Sequence, residues 1–520
     1  MLFADLAATS DDLASSGRRT DKRDRLAATL RSVARHDLPA AVTFLSGEIP
    51  GGSVGVGFAA LRDVTAPAAD DASLTIRDVS RMLDGVRSTT GAGSKTARRE
   101  ALVGLLAAAT APEQDLLRGL LGGGVRQGAL QGIMIEAIAE AFGADPALVR
   151  RALMLSGDIG RVATSAAAGG DVDLALYRLS LFSPLQPMLA STAPTASEAV
   201  AEMGLSTVEW KLDGVRLQIH CSDGEVRTYT RNLKEATDRL PEVVATVGSL
   251  PVSSVVLDAE AILLRPDGRP RAFQETMGRF GRGGLPDAQP DLPMIIFVFD
   301  CLHLDGDDLI DLPLEKRLVR MSDVIPPDLE VPRIVTDDPV AATSFFDSAV
   351  AAGHEGVVVK ALGSRYQAGR RGSEWVKVKT VHTLDLVVLA AEWGSGRRRG
   401  LLSNLHLGAF DPTSGDFVML GKTFKGLTDE MLRWQTERFQ ELETHRERHV
   451  VHVRPEQVVE IAFDGVQASS RYPGGMALRF ARVKGYRQDK AGSDADTIGA
   501  VRAIFERSRN GGDDRSADPG

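Results

Sequence analysis

Hydrophobic spacing changes character twice along this chain, and those changes limit its architecture more than any other feature. Up to about Tyr177 the apolar residues recur at helical intervals: Leu26, Leu30 and Val33; Val79, Met82, Leu83 and Val86; Leu102, Leu105 and Leu106; then the run 133–142. Beyond Ser191 the pattern is mixed. Residues 255–263 and 374–379 alternate as strands, while 294–299 and 356–360 are continuous apolar runs of the kind buried in a sheet. From Val381 onward short strands dominate, at 385–393, 403–410, 417–421 and 458–466, interrupted by a helical stretch at 428–442.

These changes predict a multidomain chain: an all-α domain over 1–185, an α+β domain over 186–381, a small β-barrel over 382–510 and a disordered tail over 511–520. The barrel is of the oligonucleotide-binding (OB-fold) kind. Residues 163–170 are small and read as a linker or loop, and the proline-punctuated stretch 182–190 reads as the connection between the first two domains. The chain has 520 residues, enough for about three domains. Its two cysteines, Cys221 and Cys301, exclude a disulfide framework and a four-cysteine zinc site. No run of residues is long and apolar enough for a membrane span, and no basic leader precedes an apolar segment, so a cytoplasmic protein with no membrane partner is expected. The formal net charge of −9 gives no global basic field, so any contact with nucleic acid has to come from local patches.

Chemistry gathers in the middle region. In Glu209-Trp210-Lys211-Leu212-Asp213-Gly214-Val215-Arg216 a strand end meets a tight turn and a second strand, leaving Lys211 and Arg216 near each other. Lysine is a nucleophile when burial or neighbouring cations lower its pKa. An isolated match of this kind is equally well an ordinary hairpin with a surface lysine. Further along, Arg231, Glu260, Glu355, Lys360, Arg371, Lys377 and Lys379 stand at strand ends. That many cations call for an anion. Glu260 and Glu355 in such company stay ionised and suit a divalent metal, magnesium or manganese, better than general-acid work. The set describes a site for a transferring phosphoryl group, with Lys211 partly deprotonated and a phosphoramidate as product.

Two weaker signals lie outside that region. Leu121-Gly122-Gly123-Gly124-Val125-Arg126-Gln127-Gly128 offers backbone N–H groups and a cation to phosphate, and Arg397-Arg398-Arg399 forms a cationic turn. Gly91-Ala92-Gly93-Ser94-Lys95-Thr96 imitates a phosphate-binding loop but has Ser94 and Thr89 where the pattern needs glycine.

Taken together, the chain resembles the ATP-dependent DNA ligases of bacterial or archaeal type that carry a helical DNA-binding domain first. Lys211-Leu212-Asp213-Gly214-Val215-Arg216 is similar to the nucleophile motif. Thr230-Arg231-Asn232, Leu257-Asp258-Ala259-Glu260, Phe297-Val298-Phe299-Asp300, Glu355-Gly356-Val357-Val358-Val359-Lys360, Trp375-Val376-Lys377-Val378-Lys379 and Leu478-Arg479-Phe480-Ala481-Arg482 follow in the family's order. Ala259 stands where glycine is commoner, and Thr230 where serine is.

The resemblance implies ATP as co-substrate, nicked duplex DNA as partner and Lys211 as the adenylated residue. It implies Glu209 against adenine, Phe299 stacked on it, and Arg216 and Arg231 on ribose or phosphate. Glu260 takes ribose, metal or both, and Glu355 takes metal. Lys360, Arg371 (with Arg370 its neighbour and competitor), Lys377 and Lys379 fall to the phosphates. Arg479, Arg482 and Lys490 would grip pyrophosphate when the barrel closes. Arg126 and Arg397–Arg399 would meet DNA. A monomer is expected, nucleoid-associated, with a sliding clamp as a conceivable recruiter. The competing assignments are a non-catalytic DNA-binding scaffold, an RNA ligase and a capping guanylyltransferase. The last two resemble the chain less, because they do not need its helical first domain.

Overall fold

The computed structural model describes residues 1–55, 61, 64–91, 93–125, 127, 131–279, 293–367 and 371–510, without the side chains of 371 and 507–510. Arg126, Arg370 and the tail 511–520 therefore lie outside the described residues.

The first region is helical. Its helices include Phe3–Ser15, Arg19–Ser32, Leu38–Leu45, Ile76–Ser88, Ser94–Ala107, Ala111–Leu121, Gln131–Phe142, Pro146–Ser156, Ile159–Gly169 and Asp171–Ala175, packed on one apolar core. Start signals are written locally. Thr75 and Asp78 form a capping box, and Asp145 caps the helix that opens on Pro146. The stretch expected as a linker is instead the helix Ile159–Gly169. Asp158 caps it by accepting from the Arg161 N–H at 2.9 Å, alanine is the strongest helix former, and Val162, Ala163 and Ala166 are buried. The look-alike phosphate loop is the start of the helix Ser94–Ala107.

Two facing sheets build the middle region. Its strands are β1 (Leu189–Thr192), β2 (Ser206–Lys211), β3 (Val215–Ser222), β4 (Glu225–Thr230), β5 (Ser254–Ile262), β6 (Ile295–Leu304), β7 (Asp307–Asp308), β8 (Arg333–Thr336), β9 (Gly356–Ala361) and β10 (Arg371–Lys379). One sheet has the order β1-β10-β9-β2-β8 and the other β4-β3-β5-β6-β7. In the first sheet, Val208, Val357, Val359, Val376 and Val378 pack against apolar residues of the helices Ala196–Met203 and Pro339–Ala351, which sends Glu209, Lys211, Lys360, Trp375, Lys377 and Lys379 to the opposite face. In the second, Val215, Leu217 and Ile219 pack with the helices Pro241–Gly248 and Leu314–Ser322, leaving Arg216, Asp258 and Glu260 to face the first sheet. β2 and β3 are therefore not a hairpin. The turn at Asp213-Gly214 carries the chain from one sheet to the other, and a Cβ on Gly214 would stand 2.3 Å from the Ala261 carbonyl oxygen.

The connecting segment is fastened to the outer part of the second sheet. The Phe182 N–H donates to His220 Nδ1 (3.0 Å), the Leu185 N–H to Gln218 Oε1 (2.6 Å) and the Tyr229 hydroxyl to the Phe182 carbonyl (2.8 Å). Arg151 of the helical region pairs with Asp311 at 2.7 Å.

The last region is strand-rich: β11 (His382–Trp393), β12 (Leu402–Asp411), β13 (Asp416–Thr423), β14 (Glu443–Glu447), β15 (Val450–Val453), β16 (Val458–Phe463), β17 (Gly465–Ala468), β18 (Met476–Arg479) and β19 (Arg482–Arg487). The order β13-β12-β11-β15-β14, with β16 pairing both β11 and β19, curls a half-barrel around an apolar core that the helix Asp429–Glu441 covers. The expected strand 458–466 is broken in two at Asp464. Among the described residues no helix is long and apolar enough to cross a membrane.

Candidate active site

The site lies between the two middle sheets and is closed at one end by the last region. Its rows follow from strand register. Lys211, Gly356 and Lys379 are direct neighbours across β2, β9 and β10, and Thr207, Lys360 and Trp375 form a second row. A Cβ on Gly356 would meet the Val378 carbonyl oxygen at 2.2 Å and the Phe346 ring at 2.9 Å. Next to it in the chain, Glu355 Oε2 lies 2.6 Å from Lys211 Nζ and 2.8 Å from Lys379 Nζ. Burial would raise the Glu355 pKa, but the two ammonium groups bring it down to about 2.

Lys211 departs from the expectation of a cation-surrounded, partly deprotonated amine. Burial pushes its pKa down, but Glu355, with Glu260 and Asp213 behind it, outweighs burial and holds the pKa above the ordinary lysine value. Glu260 departs in the other sense. Burial dominates Lys211 and Arg216 and pushes its pKa up to about 7, so cations do not keep it fully ionised; its Oε1 accepts from the Gly214 N–H at 3.1 Å.

The second row forms the other end of the site. Lys360 is fully buried, 2.5 Å from Glu209 Oε2, 4.6 Å from the Phe299 ring centroid and 4.3 Å from that of Trp375. Burial lowers its pKa. The structure thus places Lys360 with Glu209 and Phe299. Arg333 approaches Glu209 at 3.8 Å from the β8 side. Arg216 holds Asp258 in a two-pronged pair (2.8 and 2.6 Å), donates to the Met188 carbonyl at 2.7 Å and lies 5.3 Å from the Phe299 ring. Tyr366 completes this corner, its hydroxyl donating to Asp258 at 2.8 Å. Behind it, Arg317 and Asp300 make a fully buried bidentate pair at 2.8 and 2.9 Å.

Charges from the last region close the site. Arg479 Nη1 donates to Asp213 Oδ2 at 3.0 Å and its guanidinium lies 5.1 Å from the Phe273 ring. Asp464 lies 3.4 Å from Lys379 and 3.5 Å from Arg482. Lys211, Glu355, Lys379, Asp464 and Arg482 therefore form one chain of alternating charge across two regions. Asp213 was legible in the lysine motif; nothing in the sequence marks Asp464.

The family description "ATP dependent DNA ligase domain" matches residues 187–379, "ATP dependent DNA ligase C terminal region" matches 398–490, and "DNA ligase N terminus" matches 64–139. A probable DNA ligase of Mycolicibacterium gilvum (strain PYR-GCK) is 53% identical over 510 residues, covering 98% of this chain and 100% of that one. The chain belongs to the ATP-dependent DNA ligase family.

A probable DNA ligase of Saccharopolyspora erythraea is 51% identical, with 98% of this chain and 100% of that one covered. The solved structure named Pmar-Lig_PreS3 shares the fold, with a TM-score of 0.62 over 93% of this chain and 99% of that chain at 19% identity. The multidomain plan of helical first region, nucleotidyltransferase middle and strand-rich last region is that of these ligases.

Not every expected ligase residue joins this centre. Arg231 is exposed in the turn after β4. Lys377 shares the site face of β10, opposite Val358. Arg371 opens β10, and only its backbone is described. Lys490 pairs at 2.7 Å with Asp385, which also takes Arg487, so the structure puts it on β11 and not in the cluster at Lys211. Arg397 and Arg399 are exposed, and Arg398 donates to the Phe424 carbonyl at 2.8 Å.

Proposed function

We propose that this ligase seals nicks in duplex DNA, acting as a monomer at the nucleoid, through a covalent adenylate on Lys211. The observation that carries the reading is the position of Lys211. It ends a strand at the mouth between two sheets, 2.6 Å from an ionised carboxylate that Lys379 shares, with Arg479 on Asp213 two residues further on. In the first step the Lys211 amine, after losing a proton, attacks the α-phosphorus of ATP. A P–N bond forms, a P–O bond breaks and pyrophosphate leaves. The adenylyl group then passes to a 5′-phosphate, and the adjacent 3′-hydroxyl displaces AMP to close the strand.

The arrangement supports a division of labour. Glu209, Lys360 and Phe299 form the end that receives the base. Arg216, Arg231 and Glu260 serve the ribose and nearby phosphate. Arg371, Lys377 and Lys379 hold the phosphates, and Arg479 and Arg482 reach the leaving group from the last region. Glu260 and Glu355 would hold a divalent cation of the magnesium or manganese class: a buried glutamate whose pKa stands at about 7 and a second one at Lys211 are a hard oxygen set suited to it. The chemistry such an ion supplies when bound is charge, neutralising phosphate oxygens and competing with the Lys211 ammonium for Glu355. Arg126 and Arg397–Arg399 are assigned to the DNA backbone, giving a grip that ignores base sequence. The joints between the three parts are proposed near 185 and 381.

Incubation with α-labelled ATP and magnesium, then a denaturing gel, tests the reading. A label that survives denaturation and is chased onto nicked DNA is expected. Folded protein that binds nicked DNA but never takes label would be a scaffold, and a label chased onto RNA alone would make it an RNA ligase.

A further inference from the structure

Away from Lys211, on the β14–β15 hairpin, three side chains gather that the ligase chemistry does not use. The strands are joined by Arg448 and His449 alone, with Arg448 at φ 55°, so the register is tight. It sets His445 directly across from His452, and their rings stack at 4.2 Å between centroids and 7° between planes. Glu447, two residues on, shares that face of the hairpin, and its Oε1 lies 4.0 Å from His445 Nε2. One ligand atom from each of His445, Glu447 and His452 can be found within 4.8 Å of the others.

The proton positions follow from a neighbour. The Thr444 hydroxyl donates to the His452 carbonyl at 3.2 Å, which uses its only hydrogen. Its oxygen also lies 3.2 Å from His445 Nδ1. With its hydrogen on that carbonyl, the hydroxyl is placed to accept from Nδ1, which would leave Nε2, on the Glu447 side, as the ligating atom. A hydrogen bond from the far ring nitrogen is how metal-binding histidines are commonly oriented.

We propose that His445 and His452, their rings turned out of the stack so that one nitrogen of each converges beside Glu447, bind with that carboxylate one divalent first-row transition-metal ion of the zinc or nickel class. Two imidazoles and one carboxylate suit such an ion and not magnesium, which prefers oxygen throughout. β14 lies at one end of its sheet, and the ion cross-links it to β15. The ion plays no part in adenylyl transfer.

The test uses the full-length protein freed of metal and titrated with Zn2+, then Ni2+, against a chromogenic chelator. Wild type takes up an equivalent that the His445→Ala/His452→Ala variant loses. Thr444→Val weakens that equivalent by about tenfold, the scale of an outer-shell loss. His449→Ala, in the same turn, changes nothing. Zn2+ slows amide exchange over 443–453 in wild type and not in the double variant, and excess Mg2+ does not displace it. His445 is 56% exposed and His452 half-buried on the hairpin surface, so the variants should keep the fold. A double variant that binds as many equivalents as wild type, equally tightly, overturns the proposal. So does a wild type that takes up no ion.

Discussion

Arg479 of the strand-rich region donates to Asp213, two residues beyond Lys211 in the middle region, at 3.0 Å. The contact ties the strand-rich region to the turn that follows Lys211. With Asp464 on Lys379 it holds the last region against the middle one, the closed state proposed for the ATP step.

Arg479→Ala is expected to slow self-adenylation by about 100-fold, the scale for removing one charged donor from a phosphoryl-transfer site. Sealing of a nick that already carries AMP should keep its rate. If both steps slow equally, Arg479 acts on the fold and not on closure.

Lys211→Ala should take no label from ATP while still retarding nicked DNA on a native gel. Retained labelling would move the nucleophile elsewhere.

Arg317→Met leaves Asp300 buried with its charge unpaired, which costs about 3–5 kcal/mol of stability. Chemical denaturation reads this as a lower midpoint with an unchanged slope.

Acid should loosen the segment between the first two regions. Burial lowers His220 to about 4, against an unfolded value near 6.5, so between those pH values the unfolded chain binds the extra proton. The contribution is complete above pH 6.5 and is lost as pH falls toward 4, by about 3 kcal/mol. His220→Gln should flatten the melting temperature across that window. His354, lowered to about 4 by burial, leaves a second slope that the variant does not remove.

Gly356→Ala places a Cβ against the Val378 carbonyl at a φ of +141°. It is expected to destabilise the sheet and slow adenylation, because the β9 backbone that carries Glu355 into place must shift away from β10 and Phe346. Melting and label transfer measured on the same preparation check both halves.

Much of the site was legible because its residue types repeat along strands. The alternation of Trp375, Lys377 and Lys379 with Val376 and Val378 already separated a chemical face from a core face. What stayed hidden depends on distant partners. The turn at Asp213-Gly214 looks the same whether it closes a hairpin or crosses between sheets; only β9 and β5, far along the chain, decide it. The environments of Lys211 and Glu260 were misjudged for the same reason. Cations counted along a sequence say little about which carboxylate sits nearest in space. The 163–170 stretch misled differently: small residues suit both linkers and helices, and the Asp158 cap with a core to pack on decides for helix.

The pinned segment 182–188 has a further consequence for how the molecule moves. With Phe182, Leu185 and Met188 fastened to the middle sheets, the helical region has little freedom there. Between β10 and β11, by contrast, only Thr380 and Val381 intervene. The swing proposed for the last region would therefore turn on a fulcrum one residue past Lys379. A large arc at Arg397 and Arg399 would become a small displacement at Lys377 and Lys379, opening the proposed duplex face while barely disturbing the lysines assigned to the nucleotide.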